Sequence, residues 1–236
     1  MNDHKFTFIL CVNDPLLLEE CIHYIDHLVI PEGYEADLLT ITDAKSMTRG
    51  YNEAMLASDA RYKIYLHQDV FLLNKYILYD LLSVFASDPQ IGMIGAVGYE
   101  KISPDGIMWH VRRLGNLYMR NPDSPYPRLP DYHYSLSEEG YDLAACIDGF
   151  FMATSRDLPW NTDQLDGWDF YDAFQSINFL SEGYKIAVPR QTHPWCMHDD
   201  NKFPSLFHYD CYRQIFMRTY PQFLGKTYRE IINFDR

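Results

Sequence analysis

Three groups of side chains have the types and spacing to do chemistry. His67 and Asp69 straddle Gln68, and in an extended chain residues two apart project to the same side. One imidazole and one carboxylate placed together can ligate Mg²⁺ or Mn²⁺; the same pair also suits a polar strand end bonded to backbone. A second group follows His193: Trp195-Cys196-Met197-His198-Asp199-Asp200. His198 can complete a metal shell there, while Asp199 and Asp200 read as a solvated turn. The third group is Asp166-Gly167-Trp168-Asp169-Phe170-Tyr171-Asp172, just ahead of a helix. Asp172 fits two roles at that point: a carboxylate capping the helix N-terminus, or a general base held rigidly against a cleft.

The chain around these groups is acidic. Its 236 residues carry 20 Lys and Arg against 33 Asp and Glu, a net charge of −13. A general nucleic-acid binder needs cations to displace counterions, so that class is excluded, as is a basic membrane-surface protein. Hydrophobic content of 47% with 22% charged residues is a globular balance, and disorder throughout is excluded. No apolar stretch approaches the ~20 residues of a membrane span. The N-terminal run lacks the small-residue cleavage site of a signal peptide. Five cysteines without a C-x-x-C pair read as buried thiols. The expectation is a soluble, cytoplasmic protein.

The elements that must position the groups follow from patterning. Phe6 to Val12 is a continuous apolar run, the mark of a strand buried on both faces. Asp14 and Pro15 start a helix. Strands are predicted at Ala36 to Thr42, Tyr62 to Leu66 and Ile91 to Val97, with helices from Met47 to Ala57 after Ser46 and from Lys75 to Ala86. This β-α-β-α-β-α-β order is that of a doubly wound α/β unit. Residues 99 to 142 have no sustained period and suggest functional loops and short hairpins. A strand is predicted over Ala144 to Thr154 with a bulge or close approach at Gly149, a helix over Phe170 to Ser181, a strand over Lys185 to Val188 and a helix over Phe207 to Thr219. No linker separates the halves, so one domain is expected. Open α/β sheets bind ligands at the carboxyl ends of their strands, where Asn13-Asp14, Thr42-Asp43 and His67-Gln68-Asp69 fall. Neither a G-x-G-x-x-G after the first strand nor a P-loop is present. A phosphate ligand then requires positive charge from elsewhere, and in an acidic chain a divalent cation fits.

FTFILCVND at 6–14, YNEAM at 51–55, KIYLHQDVF at 63–71, IGMIGAVG at 91–98, IDGFFMAT at 147–154, GWDFYD at 167–172, GYKIAVP at 183–189 and PWCMHD at 194–199 occur in one order along the chain. In that combination the chain resembles family 2 glycosyltransferases of the GT-A fold, within a glycosyltransferase-like subgroup that carries YLHQDV. The resemblance implies a single α/β/α domain over 1–236 with a mainly parallel mixed central sheet. Residues 1–100 would be the nucleotide-sugar half and 101–236 the acceptor half with C-terminal helices.

The resemblance also implies roles. The family's Asp-x-Asp motif falls on His67-Gln68-Asp69, with Asp69 the metal ligand and His67 in place of the first Asp. The family's Glu-Asp pair falls on Tyr171-Asp172, making Asp172 the catalytic base and Tyr171 the departure. His198 matches a histidine that reaches the metal or diphosphate. Asn13, Asp43, Asn52, His67, Gln68 and Asp69 would hold the nucleotide sugar, and Asp148, Gly149, Trp168 and Asp169 the acceptor. The implied reaction is inverting transfer from a nucleotide sugar, a UDP-sugar by resemblance, to a hydroxyl of a glycan, protein or lipid-linked acceptor. Mn²⁺ or Mg²⁺ would stabilise the leaving diphosphate. A homo-oligomer is compatible with the sequence. Arg49, Lys101, Arg112 and Arg113 could assist the diphosphate but read as surface charges. Two other classes remain open at this point: a catalytically silent nucleotide-sugar-binding module and a metal-dependent phosphohydrolase.

Overall fold

The chain enters on β1 (Asn2–Cys11), whose Phe6, Phe8, Ile9 and Leu10 are buried. Phe6, Phe8 and Leu10 join one core and Ile9 the other, as the two-residue strand period dictates. Asp14 then caps α1 (Pro15–Asp26), its carboxylate accepting from the N–H groups of Leu16 and Leu17. β2 (Glu35–Ile41) leads to α2 (Met47–Ala57), where the Ser46 hydroxyl accepts from the Arg49 N–H. Next come β3 (Ala60–Leu66), β4 (Val70–Leu72), α3 (Ile77–Ser87), β5 (Ile91–Gly95) and β6 (Val97–Tyr99). The second half contributes β7 (Arg113–Met119), β8 (Asp131–Ser135), β9 (Tyr141–Leu143), β10 (Cys146–Ile147), β11 (Phe151–Thr154), α4 (Tyr171–Ser181), β12 (Lys185–Pro189), β13 (Cys196–His198), α5 (Leu206–Thr219) and α6 (Tyr228–Ile232). These elements come from a computed structural model that describes residues 1–119, 131–135, 140–199 and 206–234.

Among the described residues the strands form two sheets. The larger has the order β2-β1-β3-β11-β5-β12-β9. β1 pairs parallel with β2 and β3, and β5 parallel with β12. β11 is antiparallel to both β3 and β5, and β9 is antiparallel to β12. Five strands therefore run one way and two the other, a mixed sheet with a dominant direction. The smaller sheet has the order β10-β6-β7-β13-β4, with β8 on β7. β7 and β8 form one of the hairpins expected in the aperiodic stretch. Of that stretch, 120–130 and 136–139 lie outside the described residues.

Two predicted strands divide. The run from Ile91 to Val97 breaks at Ala96, with β5 in the larger sheet and β6 in the smaller. The run from Ala144 to Thr154 breaks at Asp148-Gly149-Phe150, with β10 in the smaller sheet and β11 in the larger. Both segments cross between sheets, and a crossing strand must bend. The closeness of that crossing is visible at Gly95, where an added Cβ would lie 2.6 Å from Ile147. β11 also inserts between β3 and β5, so the simple alternating order covers only part of the sheet. All five cysteines are free; Cys21, Cys146 and Cys196 are buried, whereas Cys211 is exposed. Among the described residues no helix is long and apolar enough to cross a membrane.

Candidate active site

β1, β2 and β3 end at the same edge of the larger sheet, and antiparallel β11 starts there. Phe151 pairs with Leu66, so the Asp148-Gly149-Phe150 turn lies beside His67. The His67 N–H donates to the Phe150 carbonyl at 3.1 Å. β13 runs antiparallel to β4 with His198 opposite Val70, which sets His198 next to Asp69. The Asp199 N–H donates to the Asp69 carbonyl at 2.8 Å and locks this register.

His67, Asp69 and His198 thereby converge. The Asp69 Oδ1 lies 3.5 Å from His198 Nε2 and 3.9 Å from His67 Nδ1. One ligand atom from each of the three can be chosen so that all lie within 4.8 Å of one another. Two nitrogen donors and one hard oxygen suit a divalent first-row cation, so the donor set fits the metal that the resemblance implies. The His198 ring stacks on Phe150 with centroids 5.4 Å apart, which fixes its orientation. Burial pulls the Asp69 carboxyl up, but the His198 contact and the two imidazoles outweigh it and hold the group below the usual carboxylate value.

Asp172 sits on the first turn of α4 without being its cap. The cap position is Phe170, held in the left-handed region at φ 64°. The Asp172 carboxylate instead accepts from two backbone groups, Gly149 N–H at 2.9 Å and Ala173 N–H at 2.8 Å. Burial and the charge of Asp148 push its carboxyl up to about 7, against the pull of those N–H groups. Asp148 itself accepts from the Tyr99 hydroxyl at 3.0 Å. Burial also raises the Asp169 carboxyl.

Two small cavities meet at this place. One of about 180 Å³ is bordered by His67, Asp148, Trp168, Asp169, Asp172 and Tyr209 among others. The other, of about 220 Å³, is bordered by His198, Phe150, Arg113 and Asp148. Tyr99, Trp109 and Asp148 line both. Trp168 is 50% exposed and Trp109 37%; both border the first cavity, and the Trp109 ring packs against Tyr209 with centroids 4.9 Å apart. A larger cleft of about 860 Å³, bordered by α3 and Arg190, is lined by none of the candidate residues.

The structure gathers His67, His198, Asp148, Gly149, Trp168, Asp169 and Asp172 around these cavities, with Asp69 beside the two histidines. Gln68 is turned away: its carboxamide oxygen accepts from the N–H groups of Asn13 and Asp14, each at 2.9 Å, and its amide donates to Asn13 Oδ1. Gln68 thus ties the end of β3 to the end of β1. Asn52 is also committed elsewhere. Its side chain donates to the Trp160 carbonyl at 3.0 Å and accepts from the Trp160 N–H at 2.9 Å. Both hydrogen-bonding ends are used on one backbone unit, so Asn52 anchors Trp160 rather than meeting the histidines. Asn13 and Asp43 are exposed beyond the ends of β1 and β2. Asp199, expected in a solvated turn, is buried at 8% exposure; Asp200 lies outside the described residues.

Sequence reasoning missed Tyr99, Phe150 and Tyr209 as site residues. Each sits in an apolar run or a helical segment where an aromatic residue is unexceptional, and no local signal sets it apart. Arg113, read as a surface charge, borders the His198 cavity.

Known proteins place this arrangement. The profile of the glycosyltransferase-like family matches residues 7–220. The mannosyltransferase PcManGT of Pyrobaculum calidifontis, solved with GDP-Man and Mn²⁺, superposes with a TM-score of 0.55 at 12% identity, over 91% of this chain and 61% of that one. TarS 1-349 of S. aureus, solved with UDP-GlcNAc, superposes at 0.53 and 10% identity, over 85% and 60%. This chain therefore spans about 60% of the length of those chains. No curated protein sequence matches it. At such identities the likeness concerns the fold, which is the GT-A arrangement. With nearly the whole length matched by one profile, the chain belongs to the glycosyltransferase-like family.

Proposed function

We propose that the protein transfers a sugar from a nucleotide-sugar donor, a UDP-sugar, to an acceptor hydroxyl with inversion. The observation that carries this reading is the placement of Asp172. A carboxylate whose proton affinity is lifted to about 7 borders the cavity that His67 also borders. A base poised near neutral pH is what deprotonation of a sugar hydroxyl requires.

The division of labour follows from the residues. Asp69, His198 and His67 hold the divalent cation, Mn²⁺ or Mg²⁺, which when bound offsets the negative charge of a diphosphate. PcManGT was solved with GDP-Man and Mn²⁺ and TarS with UDP-GlcNAc, ligand classes for which this donor set is suited. Asp172 takes the acceptor proton onto Oδ1 or Oδ2, and the N–H groups of Gly149 and Ala173 keep the carboxylate aimed as it does so. Trp168 and Trp109 offer flat apolar faces to an acceptor sugar ring, with Asp148 and Asp169 beside them to accept from its hydroxyls. Asn13 and Asp43, exposed beyond the ends of β1 and β2, would meet the nucleoside. The N-terminal half through β6, together with His198, then serves the donor, and the rest of the second half the acceptor. The acceptor is a glycan, protein or lipid-linked hydroxyl.

Among the described residues one cluster of three metal-ligating side chains is present. That suits a single cation rather than the two-metal clamp of a phosphohydrolase. The deciding experiment measures nucleoside diphosphate release from a panel of nucleotide sugars, with and without acceptors and with Mn²⁺ or EDTA. Acceptor-stimulated, cation-dependent release of UDP supports the proposal. Release of inorganic phosphate indicates a phosphohydrolase, and binding without release indicates a silent module.

A further inference from the structure

His67 and Tyr171, which the resemblance sets where family 2 enzymes at large carry Asp-x-Asp and Glu-Asp carboxylates, are hydrogen-bonded to each other. The Tyr171 hydroxyl lies 2.5 Å from His67 Nε2, although the residues are 104 positions apart. The other ring nitrogen of His67, Nδ1, is the one that faces Asp69. A neutral imidazole bonded at Nε2 is restricted to two arrangements. Either Nε2 carries the hydrogen and Nδ1 presents a lone pair, or Tyr171 donates to Nε2 and Nδ1 carries the hydrogen. A cation shared with Asp69 and His198 needs the lone pair at Nδ1.

We propose that Tyr171 is the positioning residue for His67: its hydroxyl accepts from the Nε2–H and so presents the Nδ1 lone pair to a divalent cation. The inference rests on reading His67, Asp69 and His198 as the cation site. Metal-ligating histidines ordinarily have a partner on the second nitrogen that fixes tautomer and ring orientation, and here the partner is a phenol.

The surroundings are built for that contact. Tyr171 is 4% exposed and its ring packs against Tyr51 and Trp160, with centroids 5.8 Å and 6.2 Å away. Asn52 in turn anchors the Trp160 backbone. Gly149 makes the approach sterically possible, since an added Cβ there would fall 2.2 Å from Tyr171 Oη. Tyr171 leads directly into Asp172, so the same first turn of α4 supports His67 and carries the base.

The test is calorimetric titration of Mn²⁺ into the metal-free 236-residue chain, for wild type, Tyr171→Phe, His67→Ala and the double variant. Tyr171→Phe keeps the ring and its packing and deletes the hydroxyl. Expected is a Kd for Mn²⁺ raised about 10- to 100-fold, the range for loss of such a partner. His67→Ala should weaken binding at least as much, and adding Tyr171→Phe to it should cost nothing further, because Tyr171 acts only through His67. Wild-type affinity in Tyr171→Phe, or losses that multiply in the double variant, would overturn the inference while leaving the cation site standing. Failure of wild type itself to bind Mn²⁺ would overturn both. Should Tyr171→Phe fail to fold, ¹⁵N imidazole spectra of the wild-type chain with Mg²⁺ decide: an Nε2–H tautomer for His67 supports the proposal, and an Nδ1–H tautomer refutes it.

Discussion

Asp172→Asn separates a base from a structural carboxylate through its pH dependence. Burial and Asp148 raise the Asp172 carboxyl from 3.8 to about 7. Between those values the folded protein holds a proton that the unfolded chain has released. Stability from this group is therefore full below 3.8 and is lost as pH rises through about 7, the reverse of an ion-paired aspartate. From pH 5 to pH 8.5 the wild type should lose about 3 kcal/mol from this source, at 1.36 kcal/mol per pH unit up to the folded value. An asparagine does not titrate and escapes that loss. It gives up one of the two backbone N–H bonds, a cost of about 1–3 kcal/mol that is the same at every pH. The melting temperature of the variant relative to wild type should thus climb by roughly 6–12 °C between pH 5 and pH 8.5, at about 2–4 °C per kcal/mol for a chain of this size. Thermal unfolding in EDTA reads this directly. Sugar transfer by the variant should fall about 10²- to 10⁴-fold at every pH, and wild-type kcat/KM should rise with pH through about 7. Parallel melting curves would refute the buried, charge-opposed environment. A variant that transfers sugar at the wild-type rate would refute the base and redirect attention to Asp148 or Asp169.

Removing the cation with EDTA should abolish UDP binding, and Asp69→Ala should weaken Mn²⁺-dependent UDP binding by a few kcal/mol, with His198→Ala acting in the same direction less strongly; equal calorimetric affinity in EDTA would refute the cation site. Gln68→Ala should cost about 1–3 kcal/mol in urea unfolding, since the Asn13 and Asp14 N–H groups lose their acceptor, while Mn²⁺ affinity stays within a factor of two or so of wild type; a large loss of Mn²⁺ affinity would mean that Gln68 touches the site. Trp168→Ala, at a half-exposed ring on the cavity mouth, should raise the acceptor KM about tenfold, corresponding to roughly 1.4 kcal/mol, and leave Mn²⁺ binding unchanged.

The sequence made the local parts of this architecture legible. Asp14-Pro15 and Ser46 start α1 and α2 where capping chemistry requires, and Glu182-Gly183 ends α4. These outcomes depend on a few adjacent residues. The split of Ile91 to Val97 into β5 and β6 does not, because it arises when a strand leaves one sheet for another. Nor does the three-residue pairing of β13 with β4, which sets His198 beside Asp69 across more than a hundred residues. Gln68 and Asn52 illustrate the remaining difficulty. A carboxamide near a ligand-bearing edge has the same appearance in sequence whether it meets a nucleotide or closes a gap between two strands. The distinction lies in which backbone groups are left unpaired nearby, and that is a tertiary property.

The site holds aspartates of opposite electrostatic character, and the fold accounts for both. Asp69 projects between imidazoles supplied by the end of β3 and by β13, so its charged form is favoured despite burial. Asp172 projects from α4 toward the β10–β11 turn, where the neighbour is another carboxylate, Asp148, and its charged form is resisted. Environments that push like groups apart are how one site holds a permanent anion and a titrating base at the same pH. The acidic balance of the chain bears on this. Among the described residues, backbone N–H groups, those of Ala173, Gly149 and Asp172 itself, are what pull its proton affinity down. A lysine or arginine beside Asp148 would offset the charge that raises the Asp172 carboxyl and lower its proton affinity. In the proposed reaction a cation held by Asp69, His67 and His198 would supply charge to the donor from a group of residues separate from the carboxylate proposed to accept the proton.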